Sequence, residues 1–260
     1  MADKQIRFEK KGKIGWITID RPENLNSLGT STLLEIESAL DEIDKDENIW
    51  VGVITGSGEK AFSAGADLRE LGKPNPISMM NYSKTCHRVF GKIENMGKVF
   101  ICGLNGLAMG GGFELALSCT LRIMSEKAFL ALPELALGAM PGAGGTQRLA
   151  RLIGRSRALW YILTGERMDA HSALSFGLVH KVTAPDQVLN ECEKVANVIC
   201  EKSPFSVRLV LQAINVGGNV DLHSGLQLET VLTMVCTAGE DAKEGLEAMQ
   251  NKRPPNFKGR

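Results

Sequence analysis

Two glutamates stand where carboxylates could work as a pair. Glu114 follows a triple glycine in Ala108-Met109-Gly110-Gly111-Gly112-Phe113-Glu114, and Glu134 follows a proline in Leu132-Pro133-Glu134. Three glycines before a helix start leave the first-turn N–H groups with no Cβ atoms in front of them, so the backbone can approach and stabilise a developing oxyanion. One such donor is typically worth about 3–4 kcal/mol of transition-state stabilisation. Two carboxylates beside that cradle are what adding water across an activated double bond would require, one taking a proton from water and one giving a proton to carbon. Each acid also has an ordinary explanation. An acid in a first helical turn complements the macrodipole for about 0.3–1 kcal/mol, and an acid after a proline can be a surface residue. Phe129 to Ala139 is otherwise almost wholly apolar, which predicts a mostly buried neighbourhood in which a lone Glu134 carboxylate needs a reason.

Commoner uses of glycine clusters do not fit. A phosphate-binding P-loop needs Gly-Lys-Ser/Thr after its spaced glycines, and neither Gly110 to Gly112 nor Gly142-Ala143-Gly144-Gly145-Thr146 supplies the lysine. The dinucleotide fingerprint fails because the second cluster lacks its last glycine and the first puts Glu114 where a pyrophosphate would come. A serine-hydrolase elbow would be Gly-x-Ser-x-Gly, but Ala61-Phe62-Ser63-Ala64-Gly65 begins with alanine, so Ser63 is read as a loop residue.

Those residues must be carried by a frame of 260 residues, enough for one large domain or a domain with an appendage, burying roughly 70–75% of its unfolded surface. Thirty basic and thirty acidic side chains cancel to a net charge of zero, and no lysine/arginine-rich helix is present, which counts against nucleic acid as a partner. No apolar run reaches the roughly 18 residues of a membrane helix, so no membrane partner is expected. The start, Met1-Ala2-Asp3-Lys4-Gln5, has neither an apolar signal core nor an arginine-rich leader; it reads as cytoplasmic and prokaryotic, and a matured organellar matrix chain would look the same. The cysteines (Cys86, Cys102, Cys119, Cys192, Cys200, Cys236) include no pair at metal-ligand or redox spacing and read as inert core thiols; His87, His171, His180 and His223 form no ligand set either.

Ile6 to Lys10 and Ile14 to Ile19 flank Lys11-Gly12-Lys13 and predict a hairpin ended by Arg21-Pro22. Thr30 to Asp46 carries Leu33, Leu34, Ile36, Leu40 and Ile43 at helical spacing. Trp50 to Thr55 is a short apolar run closed by Gly56-Ser57-Gly58, the pattern of a buried strand. A second cycle runs through Phe62 to Asp67, a loop at Gly72-Lys73-Pro74-Asn75-Pro76, a helix near Ile77 to Asn95 and the strand Val99 to Leu104. A third has a helix Phe113 to Cys119 and strands near Leu121 to Met124 and Phe129 to Ala131. Repeated strand–helix alternation makes the class α/β. From about Gln187 only helices are predicted: Gln187 to Glu201, Phe205 to Val216, Leu222 to Thr237 and Ala242 to Gln250. Their apolar positions, among them Val207, Leu211, Ile214, Leu226, Leu232 and Val235, need partners on the core or on another subunit.

Phe62-Ser63-Ala64-Gly65-Ala66-Asp67-Leu68, Asn105 to Ala116, Pro133-Glu134 and Pro141-Gly142-Ala143-Gly144-Gly145-Thr146-Gln147-Arg148-Leu149 resemble, in order, the hallmark blocks of the crotonase family, and within it most resemble enoyl-CoA hydratases. The resemblance runs from Arg21-Pro22 and Asn26 through Leu163-Thr164-Gly165 to Lys252-Arg253-Pro254-Pro255-Asn256-Phe257. It implies an α/β spiral of ββα units over residues 1–197 and an all-helical oligomerisation region over 198–260, assembling a homotrimer or a hexamer of two trimers. It also implies a lyase of fatty-acid β-oxidation that hydrates a short- to medium-chain 2-enoyl-CoA to a 3-hydroxyacyl-CoA, with no cofactor beyond the coenzyme A of its substrate.

By the same resemblance the N–H groups of Ala66 and Gly111 hold the thioester oxygen, Glu114 orients and deprotonates water, and Glu134 delivers the proton to the α-carbon. Coenzyme A would lie along Ala64, Gly65 and Asp67, with Arg69 and Lys252 as partners for its phosphates or as solvated surface cations. Met79, Met80 and Trp160 fall where relatives build the acyl pocket; core packing is their other reading. Thr120 departs from the aspartate most relatives carry after Ala-Cys, which touches structure near the Glu114 helix more than chemistry. The alternatives are a crotonase-fold isomerase that shifts a double bond with one carboxylate, a non-enzymatic thioester- or RNA-binding member, and a hydratase dedicated to a branched (methylglutaconyl-like), dicarboxylic or cyclic enoyl-CoA. Retention of both glutamates favours a hydratase.

Overall fold

The computed structural model describes residues 4–71 and 75–260, with only the backbone of Leu71; Gly72 to Pro74, part of the expected glycine–proline loop, lie outside the described residues. The strands are β1 (Ile6–Lys11), β2 (Ile14–Ile19), β3 (Val51–Gly56), β4 (Ala61–Ser63), β5 (Val99–Leu104), β6 (Leu107–Met109), β7 (Leu121–Ser125), β8 (Phe129–Ala131), β9 (Met168–Asp169) and β10 (Lys181–Thr183). The α-helices are α1 (Thr30–Lys45), α2 (Leu68–Leu71), α3 (Pro76–Asn95), α4 (Gly111–Ser118), α5 (Gly145–Ile153), α6 (Arg155–Thr164), α7 (Ala170–Ser175), α8 (Val188–Cys200), α9 (Pro204–Gly217), α10 (Leu222–Ala238) and α11 (Glu240–Gln250).

The large sheet has the order β1-β2-β3-β5-β7-β10 and the small one β4-β6-β8-β9. Only β1 runs antiparallel in the large sheet, hairpinned to β2 around Gly12 at φ 58°. β3 and β5 are buried along their whole length, as parallel strands covered on both faces must be, which is why both read as unbroken apolar runs. One face packs on α1 and α3 through Leu33, Ile36, Leu40, Phe90 and Ile93; the other packs on α8 through Val188, Cys192 and Ala196. Cys86, Cys102, Cys119 and Cys192 are core thiols as expected, while Cys200 and Cys236 are only half-buried.

In each of the pairs β3/β4, β5/β6 and β7/β8 the first strand enters the large sheet and the second the small one, and a helix follows, which is the ββα spiral. β4, β6 and β8 are parallel neighbours, so their C-terminal ends open on one edge. From that edge leave Ala64 to Asp67, then Gly110 with α4, then Pro133-Glu134. In open α/β sheets this is where ligands bind.

Several elements differ from the expectations. Ser63 is not in a loop but ends β4, fully buried, because the backbone of Gly112 packs directly on it: a methyl group at Gly112 would lie 2.4 Å from the Ser63 carbonyl oxygen. β6, β9 and β10 are too short to leave a period in the sequence. Thr120 has a structural task, its Oγ1 accepting from the Phe100 N–H at 3.2 Å. Behind it, the buried Arg122 guanidinium donates to the carbonyls of Ala116, Cys119 and Leu178, closing the C-terminal end of α4. In the helical tail Val207 and Leu211 pack on the core and Leu209 and Leu232 are buried, but Ile214, Leu226 and Val235 stay exposed.

The turn after β2 is organised by Asn26, buried and left-handed at φ 55°. Its Nδ2 donates to the carbonyls of Ser57 and Ala61, and its Oδ1 accepts from the Arg21 N–H. Asn tolerates this backbone and its amide satisfies both strands, a combination alanine lacks. Asn26→Ala is therefore expected to destabilise the fold by about 2–4 kcal/mol. A thermal or urea melt measures this, and an unchanged midpoint would show that these bonds do not hold the turn.

Candidate active site

The first wall of the site is the segment Ala64 to Asp67. It is tied to the turn before α1 by Ala64 N–H to Leu25 O at 2.9 Å, Leu28 N–H to Gly65 O at 2.7 Å and Asp67 N–H to Leu28 O at 3.2 Å. Tyr82 Oη on α3 donates to the same Leu28 carbonyl at 2.8 Å. The Asp67 carboxylate turns inward, accepting from Arg21 Nη2 at 3.0 Å and Ser27 Oγ at 3.2 Å. Burial opposes its ionisation, but these bonds prevail and hold its carboxyl below the usual range.

Gly65 sits at φ 92°, and a methyl group there would lie 2.6 Å from the Met109 carbonyl and 2.9 Å from the Gly111 nitrogen. A methyl group at Gly111 would in turn lie 3.6 Å from the Ala66 nitrogen. The amides of Ala66 and Gly111 thus come side by side from adjacent strand ends, and neither donates to an acceptor among the described residues. Two free donors converging at the N-terminus of a helix are a geometry able to stabilise an oxyanion.

Glu114, in the first turn of α4, is 2% exposed. Its Oε1 accepts from Ala143 N–H at 2.8 Å and Gly145 N–H at 2.7 Å, the second being the first residue of α5. A methyl group at Gly145 would come within 3.0 Å of that oxygen, so the carboxylate would have to give way to a side chain there. Burial pushes the carboxyl above its ordinary value; the Gly145 and Ala143 N–H groups and the Arg148 cation oppose that shift without cancelling it. The helix-dipole explanation is too small for this geometry, because the carboxylate leaves its own helix and is received by the start of the next.

Glu134 opens a 3-10 turn, Glu134–Leu137, directly after Pro133. Its Oε2 is buried and has no hydrogen-bond partner, while its Oε1 lies 3.2 Å from where a methyl group on Gly110 would stand. Burial pushes its carboxyl up to about 7, and the charge of Glu114 adds to the rise. The two carboxyls are thus held differently: Glu114 accepts from two backbone N–H groups, while Glu134 has one oxygen without a partner and is pushed up to about 7. The expected burial around Glu134 is half right: Leu130 to Leu132 are buried, but the turn carries Leu135, Leu137 and Met140 to the surface.

Met79 and Met80 on α3 and Trp160 on α6 are 43%, 47% and 58% exposed, which overturns the core-packing reading. The core face of α3 belongs instead to Tyr82, Cys86, Val89, Phe90 and Ile93. Trp160 Nε1 donates to Glu166 Oε2 at 2.7 Å. Arg69 is exposed beside Asn24 and Asp67, and Lys252 is exposed in a left-handed conformation at φ 52°. Ala143 and Gly145 appear in the sequence only inside a glycine cluster that fits no nucleotide motif; that two of its N–H groups receive Glu114 has no sequence signal. Arg21, which holds Asp67, and Arg148, which lies over the Ala143 to Gly145 loop, are equally silent.

Residues 9–260 match the model of the family described as enoyl-CoA hydratase/isomerase. The chain is 40% identical to the short-chain-enoyl-CoA hydratase of Clostridium acetobutylicum, with 95% of each chain covered. It is 38% identical to the crotonyl-CoA hydratase of Syntrophomonas wolfei, with 99% of each covered. Among solved structures, an enoyl-CoA hydratase from Bacillus anthracis superposes with a TM-score of 0.96 at 38% identity, over 99% of this chain and 100% of that one. With the paired glutamates, the amide cradle and the ββα spiral all in place, this chain belongs to the enoyl-CoA hydratase/isomerase family.

Proposed function

We propose that the protein is an enoyl-CoA hydratase, a lyase that reversibly adds water across the α,β double bond of a short- to medium-chain 2-enoyl-CoA to give the 3-hydroxyacyl-CoA. The observation that carries this reading is the unequal state of the two glutamates beside the Ala66 and Gly111 amides. With the thioester oxygen on those amides, negative charge that develops there during attack is stabilised. Glu114 takes a proton from water as its oxygen bonds to the β-carbon, the alkene pair moves toward the thioester, and Glu134 gives its proton to the α-carbon. An isomerase needs only one carboxyl to move a proton between carbons, so the second glutamate supports hydration.

The exposed Met79, Met80, Leu135, Leu137, Met140 and Trp160 around the turn of Glu134, α3 and α6 support an apolar acyl group. Coenzyme A runs along the backbone of Ala64, Gly65 and Asp67, and Arg69 and Lys252 are free enough to meet its phosphates. The helical region from residue 198 onward assembles trimers or hexamers: Val210, Ile214, Leu222, Val231, Met234, Leu246 and Met249 expose apolar surface along α9, α10 and α11. The bacterial relatives support a cytoplasmic enzyme; among the described residues no helix is long and apolar enough to cross a membrane.

Glu134→Gln is expected to lower crotonyl-CoA hydration by roughly two orders of magnitude or more while thioester binding is largely kept. Because Glu134 must be protonated in the free enzyme and its carboxyl stands at about 7, wild-type kcat/KM should fall as pH rises through that value. Near-wild-type activity in the variant, or a wild-type profile flat through neutrality, would sink the role given to Glu134. Gly65→Ala places a methyl group against the Gly111 nitrogen and is expected to lower kcat by about 10²–10³; a folded variant with unchanged kcat would refute the cradle. Light scattering at micromolar concentration should give three or six times the mass of the chain, and a monomer would overturn the assembly.

A further inference from the structure

We propose that Arg148 and Glu94 form a charge-setting pair for Glu114, a cation and its counterion that position the loop receiving the Glu114 carboxylate and set the field it feels. The proposal rests on the reading of Glu114 as the base. Arg148, on α5, meets Glu94, on α3, through two parallel bonds, Nε to Oε1 and Nη2 to Oε2, each 2.6 Å. Its third contact is Nη1 donating to the Ala143 carbonyl at 3.0 Å. The N–H of that same residue donates to Glu114 Oε1. One residue is therefore held at both ends, by the guanidinium on its carbonyl and by the carboxylate on its amide.

Gly144 makes the arrangement possible. It stands at φ 112°, and a methyl group there would lie 1.9 Å from Arg148 Nη1, so only glycine lets the guanidinium lie back across the loop. Glu94 is fixed in turn near the end of α3, where its carbonyl accepts from Asn215 Nδ2 of α9 at 3.1 Å. The pair is largely shielded, with Arg148 16% and Glu94 34% exposed, so water screens it less than a surface pair.

The groups that face Glu114 come from three elements: Arg148 from α5, Glu134 from the turn after β8, and the neutral Tyr82 and Cys86 from α3. Arg148 is the one cation acting on Glu114 among the described residues. The signs follow. Removing Arg148 destabilises the carboxylate and raises the pH at which it ionises. Removing the charge of Glu94 leaves the guanidinium uncompensated, strengthens its pull on Glu114 and lowers the pH at which that carboxyl ionises. A base must be ionised in the free enzyme, so the acid limb of kcat/KM reports Glu114.

The test is the pH profile of crotonyl-CoA hydration for Arg148→Met, Glu94→Gln and Arg148→Lys, with Glu114→Gln as reference and thermal melts alongside. Arg148→Met should move the acid limb to higher pH, Glu94→Gln to lower pH, and Arg148→Lys should restore most of the wild-type position. On the acid side kcat/KM should change by roughly three- to tenfold in opposite directions for the first two. Limbs that stay put, or move the same way, overturn the pair even if both variants lose stability, since loosening alone gives no opposite signs. Should Arg148→Met fail to fold, the direction of the Glu94→Gln limb decides alone. Near-wild-type activity in Glu114→Gln would instead remove the base on which the proposal stands.

Discussion

The buried bond between the Glu114 carboxylate and the amides of Ala143 and Gly145 is the constraint around which the rest is arranged. A carboxylate taken from water must be repaid in hydrogen bonds, and those to a charged acceptor are worth about 1.5–3 kcal/mol each. Both donors are backbone groups, so satisfying them dictates where α4 begins, where α5 begins and how the chain between Pro141 and Gly145 runs. Gly112 on Ser63 and Gly145 on Glu114 are the close approaches that bring the two helix starts together. Arg122 secures the far end of α4, and Arg148 secures the loop.

Set against that anchored carboxylate, Glu134 is defined by what it lacks. One oxygen is buried without a partner, just beyond β8, the strand beside the β6 that leads into α4 and Glu114. Two neighbouring carboxyls cannot both ionise freely: burial and then the charge on Glu114 push Glu134 up to about 7, despite the bond from its own N–H. On the proposed mechanism a turnover leaves Glu114 protonated and Glu134 ionised.

Periodicity and unbroken apolar runs revealed β1, β2, β3, β5, β7, α1, α3 and the helical tail, because the helices are long with one buried face and β3 and β5 are buried on both. It missed β6, β9 and β10, whose few residues carry no period and owe their pairing to neighbours far along the chain. At the site, Glu114, Glu134, Ala66 and Gly111 stood out because glycine and charge are conspicuous and because the ordered blocks resemble a family. Arg21, Arg148 and Glu94 did not, since a charged residue in a helix or turn looks the same whether solvated or clamped. Met79, Met80 and Trp160 were open to a core reading for the opposite reason: apolar character does not say which side of a helix faces outward.

The donors that line this site, at Ala143 and Gly145 on the Glu114 carboxylate and at Ala66 and Gly111 without an acceptor among the described residues, are all main-chain N–H groups. No replacement at those positions other than proline removes the donor itself, and truncation scanning, which reads out only what lies beyond Cβ, passes over them. The sensitive positions are instead the neighbours with no side chain to truncate, Gly65 and Gly144, where any added atom lands on an amide or a guanidinium. Half of the machinery in this fold is thus written in backbone, and its letters are legible only at the places where a side chain is forbidden.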